Sequence, residues 1–138
     1  MFDDCLYFNT TALARTLERA WSRAFEPFGL SPAQAFMLRT ILARPGLLQG
    51  ELAESMVISR PTATRTLDGL VGKALVERRG TGRDGREQSL HPTAAALALH
   101  AALDDASRSV TRRLKRRLGE RDFAAVVTRI RGVRSALE

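Results

Sequence analysis

Thiols, imidazoles and long apolar runs are scarce in this chain. It holds one cysteine, Cys5, and two histidines, His91 and His100, in 138 residues. A lone thiol cannot close an internal disulfide, and one Cys with two His cannot furnish a four-ligand structural zinc site within one chain. Nucleophilic catalysis is equally poorly served. Cys5 lies far in sequence from both histidines, no catalytic motif surrounds any of the three, and neither a carboxylate pair nor a phosphate-cradling loop is present. The expectation is a non-enzyme with no metal and no cofactor. No apolar run reaches the roughly 18 residues of a membrane span, and the N-terminus lacks the apolar stretch of a secretory leader. A cytoplasmic protein without membrane contact is therefore expected. Linkers, repeats and low-complexity tracts are absent too, which leaves a single domain over residues 1–138. A chain of this length, 44% hydrophobic, can bury a core.

What is plentiful is positive charge, and it is unevenly placed. The formal net charge is +7. Residues 1–28 hold three arginines against four acids, residues 29–91 nine basic against six acidic side chains, and residues 92–138 ten against five. A basic middle and end behind an acidic start fits a polyanionic partner.

The middle carries the clearest pattern. Leu52, Ala53 and Met56, then Ala63, Leu67, Leu70 and Val71, recur at helical spacing on one face, with only Val57, Ile58 and Ser59 between the two pieces. So short a gap suits a helix-turn-helix. Ser59 can cap the second helix by accepting an orphaned backbone N–H, and Pro61 fits a first turn that needs no donor, so that helix should begin at about Arg60. Arg60, Thr62, Thr64, Arg65 and Asp68 fall largely off its apolar face. Such short or forked side chains can reach base edges, and the helix N-terminus favours a nearby phosphate. The competing reading is an ordinary exposed polar face. After Lys73 the period changes: Leu75 to Arg79 alternates like a half-buried strand, Gly80, Gly82 and Gly85 mark a turn, and Arg86 to Leu90 returns. The tip of this hairpin bears Arg83, Asp84 and Arg86. Arginine on a narrow loop can enter a minor groove. Asp84 either holds Arg86 through a charge-assisted bond or simply forms the turn. The fold class is thus mainly α with a small β-hairpin wing: a winged helix over about 30–92, flanked by helices at about 4–28 and 93–137.

Taken together, Gln49-Gly-Glu-Leu-Ala-Glu, Ser59-Arg-Pro-Thr-Ala-Thr-Arg, Leu75-Val-Glu-Arg-Arg, Asp84-Gly-Arg and Thr93 opening a long helix resemble the multiple-antibiotic-resistance regulators, the MarR family. Gly29-Leu-Ser-Pro-Ala-Gln, ahead of the second helix, extends the match over nearly the whole chain, and order and spacing carry it. The resemblance implies a winged-helix homodimer that binds double-stranded DNA at a pseudo-palindromic operator, represses transcription, and is released by a small phenolic or other anionic aromatic effector or by oxidation. By position it assigns DNA contact to Arg60, Pro61, Thr62, Thr64 and Arg65 on the recognition helix and to Arg86 on the wing; Ser59, at the start of that helix, and Arg83 and Asp84, near the hairpin tip, complete the expected DNA-binding set. Two departures stand out. Ala74, with Gly72 nearby, occupies the place of the family's usual glycine after the recognition helix, which implies a helix end shifted by a residue or two. Pro92-Thr93 replaces Leu-Thr before the long helix and keeps the Thr cap.

The flanking helices look like a dimer-forming part. Leu6, Leu13, Leu17, Trp21, Ala24, Phe25 and Phe28 form one stripe, ended by Pro27 and Gly29; Leu99, Leu103, Ala106, Val110, Leu114 and Leu118 form a second; Phe123, Val126, Val127, Ile130, Val133 and Leu137 form a third. Three such faces exceed what one small winged helix can cover, so they are expected to pack on their copies. The basic run Arg108, Arg112, Arg113, Lys115, Arg116 and Arg117 reads either as a solvated helix end favoured by the dipole or as a partner for Asp3 and Asp4. An effector crevice lined by Trp21, Phe25, Phe36 and Met37 is one reading of those large apolar side chains and plain core is the other; Arg39 or His100 would meet an anion there. Cys5 offers a thiol-based redox sensor on the same fold, although the sequence places no evident base beside it; an inert thiol is the other reading. A winged-helix module for protein or RNA is the remaining alternative, and it predicts no palindromic operator.

Overall fold

The computed structural model describes residues 1–81 and 87–138. Helix α1 (Leu6–Phe25) starts where the Cys5 Sγ accepts the Phe8 N–H at 3.5 Å. It gives way to one 3-10 turn, Glu26–Phe28, and stops at Gly29, whose φ of 67° is a left-handed conformation that glycine adopts without a Cβ clash. Helix α2 (Pro32–Ala43) opens on a reciprocal capping box: the Ser31 Oγ accepts the Gln34 N–H, and the Gln34 Oε1 accepts the Ser31 N–H, each at 3.2 Å. Pro32, Ala33 and Gln34 therefore form the first turn of α2 and do not precede it.

Helices α3 (Gln49–Met56) and α4 (Arg60–Gly72) are joined by Val57, Ile58 and Ser59, and α4 begins at the expected residue with Ser59 as its cap. Strands β1 (Val76–Gly80) and β2 (Gln88–Pro92) pair antiparallel in a register from Val76↔Pro92 to Gly80↔Gln88. Leu48 bridges Ser89 on the far edge of β2, which ties the start of α3 to the wing. Both strands begin later than their sequence pattern indicates. Leu75 is used to close α4, donating its N–H to the Leu70 carbonyl at 3.0 Å, and Pro92 ends the pairing because it has no N–H to give. Ala74, in a left-handed conformation at φ 56°, makes that closure possible. The helix end is reached by straining an alanine, with Gly72 left as the last helical residue.

Helix α5 (Ala94–Leu118) is capped by Thr93, whose hydroxyl accepts the Ala96 N–H at 3.3 Å and donates to the Ala74 carbonyl at 2.7 Å. Its 25 residues span about 38 Å. Gly119, at φ 85°, turns the chain into α6 (Glu120–Leu137).

One core holds the winged helix together: Phe25, Met37, Leu38, Ile41, Leu52, Leu67, Leu70, Val76, Leu90 and Leu103 are all buried. It draws on both flanks of the chain, so α1 and α5 are pinned to the winged helix at their inner ends. Farther out the apolar stripes are bare. Leu6, Tyr7, Phe8 and Leu13 of α1 are exposed, as are Val126, Val127, Ile130, Val133 and Leu137 of α6, which has no buried residue at all.

Candidate nucleic-acid interface

The first turns of α4 present a dense set of polar side chains. Ser59, Arg60, Pro61, Thr64 and Arg65 are exposed, and Thr62 is half-buried. Hydrogen bonds among neighbours fix their positions. The Ser59 Oγ accepts the Thr62 N–H at 3.3 Å and donates to the Thr62 Oγ1 at 2.9 Å; the same Oγ1 receives the Arg65 guanidinium at 3.4 Å. The Thr64 hydroxyl donates to the Arg60 carbonyl at 3.0 Å and accepts from the Gln49 Nε2, also at 3.0 Å. Beside them lies a cleft of about 270 Å³ between the start of α3, the start of α4 and the root of the wing, lined by Gln49, Gly50, Arg60, Thr64, Glu87 and Gln88 among others. Unpaired backbone N–H groups and the α4 dipole make this end of the helix attractive to an anion.

Only some of the cations in this region are uncommitted. Arg78 of β1 pairs with Asp68 of α4, Arg79 reaches Glu77 at 3.4 Å, and the Lys73 ammonium donates to the Gly29 carbonyl and to the Gln34 Oε1. Asp68, placed by its periodicity among the base-reaching residues, instead ties the recognition helix to the wing root. Among the described residues, Arg60 and Arg65 enter no salt bridge, so their charge is not neutralised, and Arg65 spends only one N–H, on the Thr62 Oγ1. The wing-tip candidates Arg83, Asp84 and Arg86 lie outside the described residues. Gln49 is a participant the sequence pattern did not single out; fifteen residues separate it from Thr64, and nothing local signals their contact.

The comparisons agree with this geometry. The MarR family model matches residues 28–87, from the last residue of the 3-10 turn to the residue before β2. Over those residues the chain is similar to the MarR family. Three solved structures share its fold over almost its whole length. CouR, a transcriptional repressor bound to a 23-mer DNA duplex, is 25% identical with a TM-score of 0.87, over 96% of this chain and 94% of CouR. The M. tuberculosis transcriptional regulator MosR is 27% identical with a TM-score of 0.83, over 99% and 98%. A mutant MarR from E. coli complexed with operator DNA is 20% identical with a TM-score of 0.84, over 96% and 97%. No curated protein sequence matches the chain.

Elsewhere in the chain the candidate residues separate. Phe25, at the end of α1, and Met37, on α2, are fully buried in the core and do not line a crevice. Trp21 and Phe36 do line an open groove of about 450 Å³, with Leu17, Glu18, Pro32 and Ala33. The Trp21 Nε1 is committed, donating to the buried Ser107 Oγ of α5 at 3.1 Å. Arg39 and His100 share an anion that the chain itself supplies: the Arg39 Nε lies 2.8 Å from the Asp104 Oδ1, and the His100 Nε2 3.5 Å from its Oδ2. The hydrogen bond from Arg39 holds the Asp104 carboxyl below its ordinary range, against the opposing effect of partial burial. Arg39 also sits 5.1 Å over the Phe36 ring. This cluster fastens α2 to α5 and so couples the DNA-facing unit to the long helix.

Cys5 is exposed and caps α1. His91 bonds Ser89 at 3.0 Å within β2, and among the described residues no cluster of His, Cys, Asp and Glu has metal-binding proximity. Among the described residues no helix is long and apolar enough to cross a membrane. In the late basic run, Arg108 pairs with Asp105 at 3.0 Å and Lys115 sits 5.5 Å over the Phe123 ring; Asp3 pairs with the N-terminal amine at 3.7 Å. Within one protomer the run and the acidic start do not meet.

Proposed function

We propose that this protein is a sequence-specific, duplex-DNA-binding transcriptional regulator that works as a homodimer. The observation that carries it is the pair Arg60 and Arg65, free of salt bridges among the described residues and exposed beside Thr64 on the first turns of α4, while Lys73, Arg78 and Arg79 are engaged within the fold. CouR and the E. coli MarR mutant, which share the architecture, were solved on DNA, and that supports the same use here. Residues 1–138 act as one unit: the winged helix reads DNA, and the bare apolar faces of α1 and α6 join two copies. Ser59, Arg60, Pro61, Thr62, Thr64 and Arg65 contact the major groove, and Arg83, Asp84 and Arg86 serve the minor groove. The protein has no catalytic role and works in the cytoplasm, where its operator is.

Binding represses transcription, and a small anionic aromatic compound releases it by favouring a dimer whose recognition helices no longer match successive grooves. Differential affinity of that compound for the free form does the switching. The groove at Trp21 and Phe36 adjoins the α2–α5 fastening, so occupancy there reaches the joint that sets helix separation. Selection of bound fragments from random duplex DNA tests the proposal. A pseudo-palindrome with half-sites about one helical turn apart is expected. Release of that duplex by phenolic acids is expected in a subsequent screen. A protein that stays monomeric at working concentration, or that enriches no sequence, refutes the reading.

A further inference from the structure

The hydroxyl of Thr64 has no proton left to offer a base. It donates that proton to the Arg60 carbonyl, 3.0 Å away, and one of its lone pairs receives the Gln49 amide at 3.0 Å. The acceptors on the major-groove edge are guanine O6 and N7, adenine N7 and thymine O4, and all need a donor. Thr64 is nevertheless exposed on the first turns of α4, beside two arginines that enter no salt bridge among the described residues. With Oγ1 turned back onto the helix, what the side chain has left to present is its Cγ2 methyl, an apolar surface.

Resting on the DNA-binding reading above, we propose that Thr64 is a specificity-determining residue that reads the C5 methyl of a pyrimidine, thymine in ordinary DNA. Gln49 is its positioning residue. From the first turn of α3 it holds the hydroxyl inward and so keeps the methyl outward. Adenine and guanine have no group at this place, and cytosine carries only a hydrogen there. The preference is therefore for thymine over cytosine or uracil at one position of each half-site, independent of the hydrogen bonds made by Arg60 and Arg65.

The test uses the full-length protein and the duplex it selects. Each thymine of the operator is replaced singly by deoxyuridine, which removes only the methyl. One position per half-site should weaken binding about fourfold, the loss that follows from one methyl's transfer free energy, and both together about fifteenfold. 5-Methylcytosine paired with guanine at that position should bind more tightly than cytosine. Thr64→Val, which keeps a methyl and lacks the hydroxyl, should retain the thymine-over-uracil ratio. Thr64→Ser, which keeps the hydroxyl and lacks the methyl, should bind both duplexes alike, and Gln49→Ala should lower the ratio while helical content is unchanged. The idea is overturned if no single deoxyuridine replacement matters on an operator that is still bound selectively. It is also overturned if the serine variant keeps the ratio and the valine variant loses it. Failure to select any operator removes the DNA-binding reading itself, and is told apart by the absence of a bound duplex in the first step.

Discussion

The end of the recognition helix places its glycine two residues too early, and correcting that should stabilise the protein. Ala74 sits at φ 56°, a conformation that crowds its Cβ against the neighbouring carbonyl and costs an L-residue roughly 1–2 kcal/mol. Glycine avoids the crowding but gives up some of the gain, because it frees the unfolded chain by about 0.4–1 kcal/mol. Ala74→Gly should therefore gain about 0.5–1 kcal/mol. Ala74 is exposed, so little packing is lost, and the Thr93 hydroxyl bonds its backbone carbonyl, which the substitution leaves in place. Gly72 is the converse case. It is helical and exposed, and a Cβ built on it meets nothing within 4 Å, so Gly72→Ala should gain about 0.5–1 kcal/mol from helix propensity and reduced unfolded-state freedom. The double variant should gain about 1–2 kcal/mol, a rise in Tm of roughly 4–8 °C for a chain of this size. Urea denaturation at fixed protein concentration gives the free energy, with an unchanged m value showing that only stability moved. Ala74→Val supplies the opposite sign, since β-branching is worse still at positive φ. A lower or unchanged midpoint for Ala74→Gly would show that the helix end is not strained.

Further expectations concern binding, assembly and pH. Arg65→Ala should weaken operator binding by about 1–3 kcal/mol and relax sequence preference; equal losses on operator and random duplex, measured by titration at one salt concentration, would exclude base reading by this arginine. Ile130→Asp, on the bare stripe of α6 where Ile130 is 50% exposed, should convert the dimer to a monomer in sedimentation experiments and abolish operator binding, whereas Thr128→Asp on the opposite face should do neither. A monomer from both variants, or from neither, would place the interface elsewhere. Asp104 is held below its ordinary value of about 3.9 by Arg39, so its ion pair contributes stability that is present above that value and is lost as pH falls through the lower, folded-state one. Asp104→Asn should cost about 1 kcal/mol near neutrality, the pair being partly solvated, and the two unfolding curves should converge as the solution is acidified. A constant gap down to strongly acid pH would show that the ion pair is not the source.

Local chemistry was legible in the sequence because it acts within a few residues along the chain. Ser59 and Thr93 cap their helices by bonding N–H groups three residues ahead, so both helix starts were readable from residue type and position alone. The apolar periods of α3, α4 and α5 likewise located the winged helix, and the change to alternation after Lys73 located the hairpin to within a few residues. Contacts made across elements left no such trace. Arg78 is spent on Asp68 and Lys73 on the Gly29 carbonyl, two of the five cations between Arg60 and Arg79. Phe25, Met37, Trp21 and Phe36 share a residue class and a spacing, yet two are core and two line a groove.

The amino-acid order by itself determined which segments coil, where they start, and that a basic helix and hairpin stand together between apolar-faced flanks. Those properties are set by backbone geometry and by side chains bonding their own neighbourhood. Only the tertiary structure decided which arginines stay free, which aromatics remain accessible, and which side of Thr64 is presented. Those outcomes depend on how helices cross, and a crossing angle joins residues tens of positions apart that no period connects.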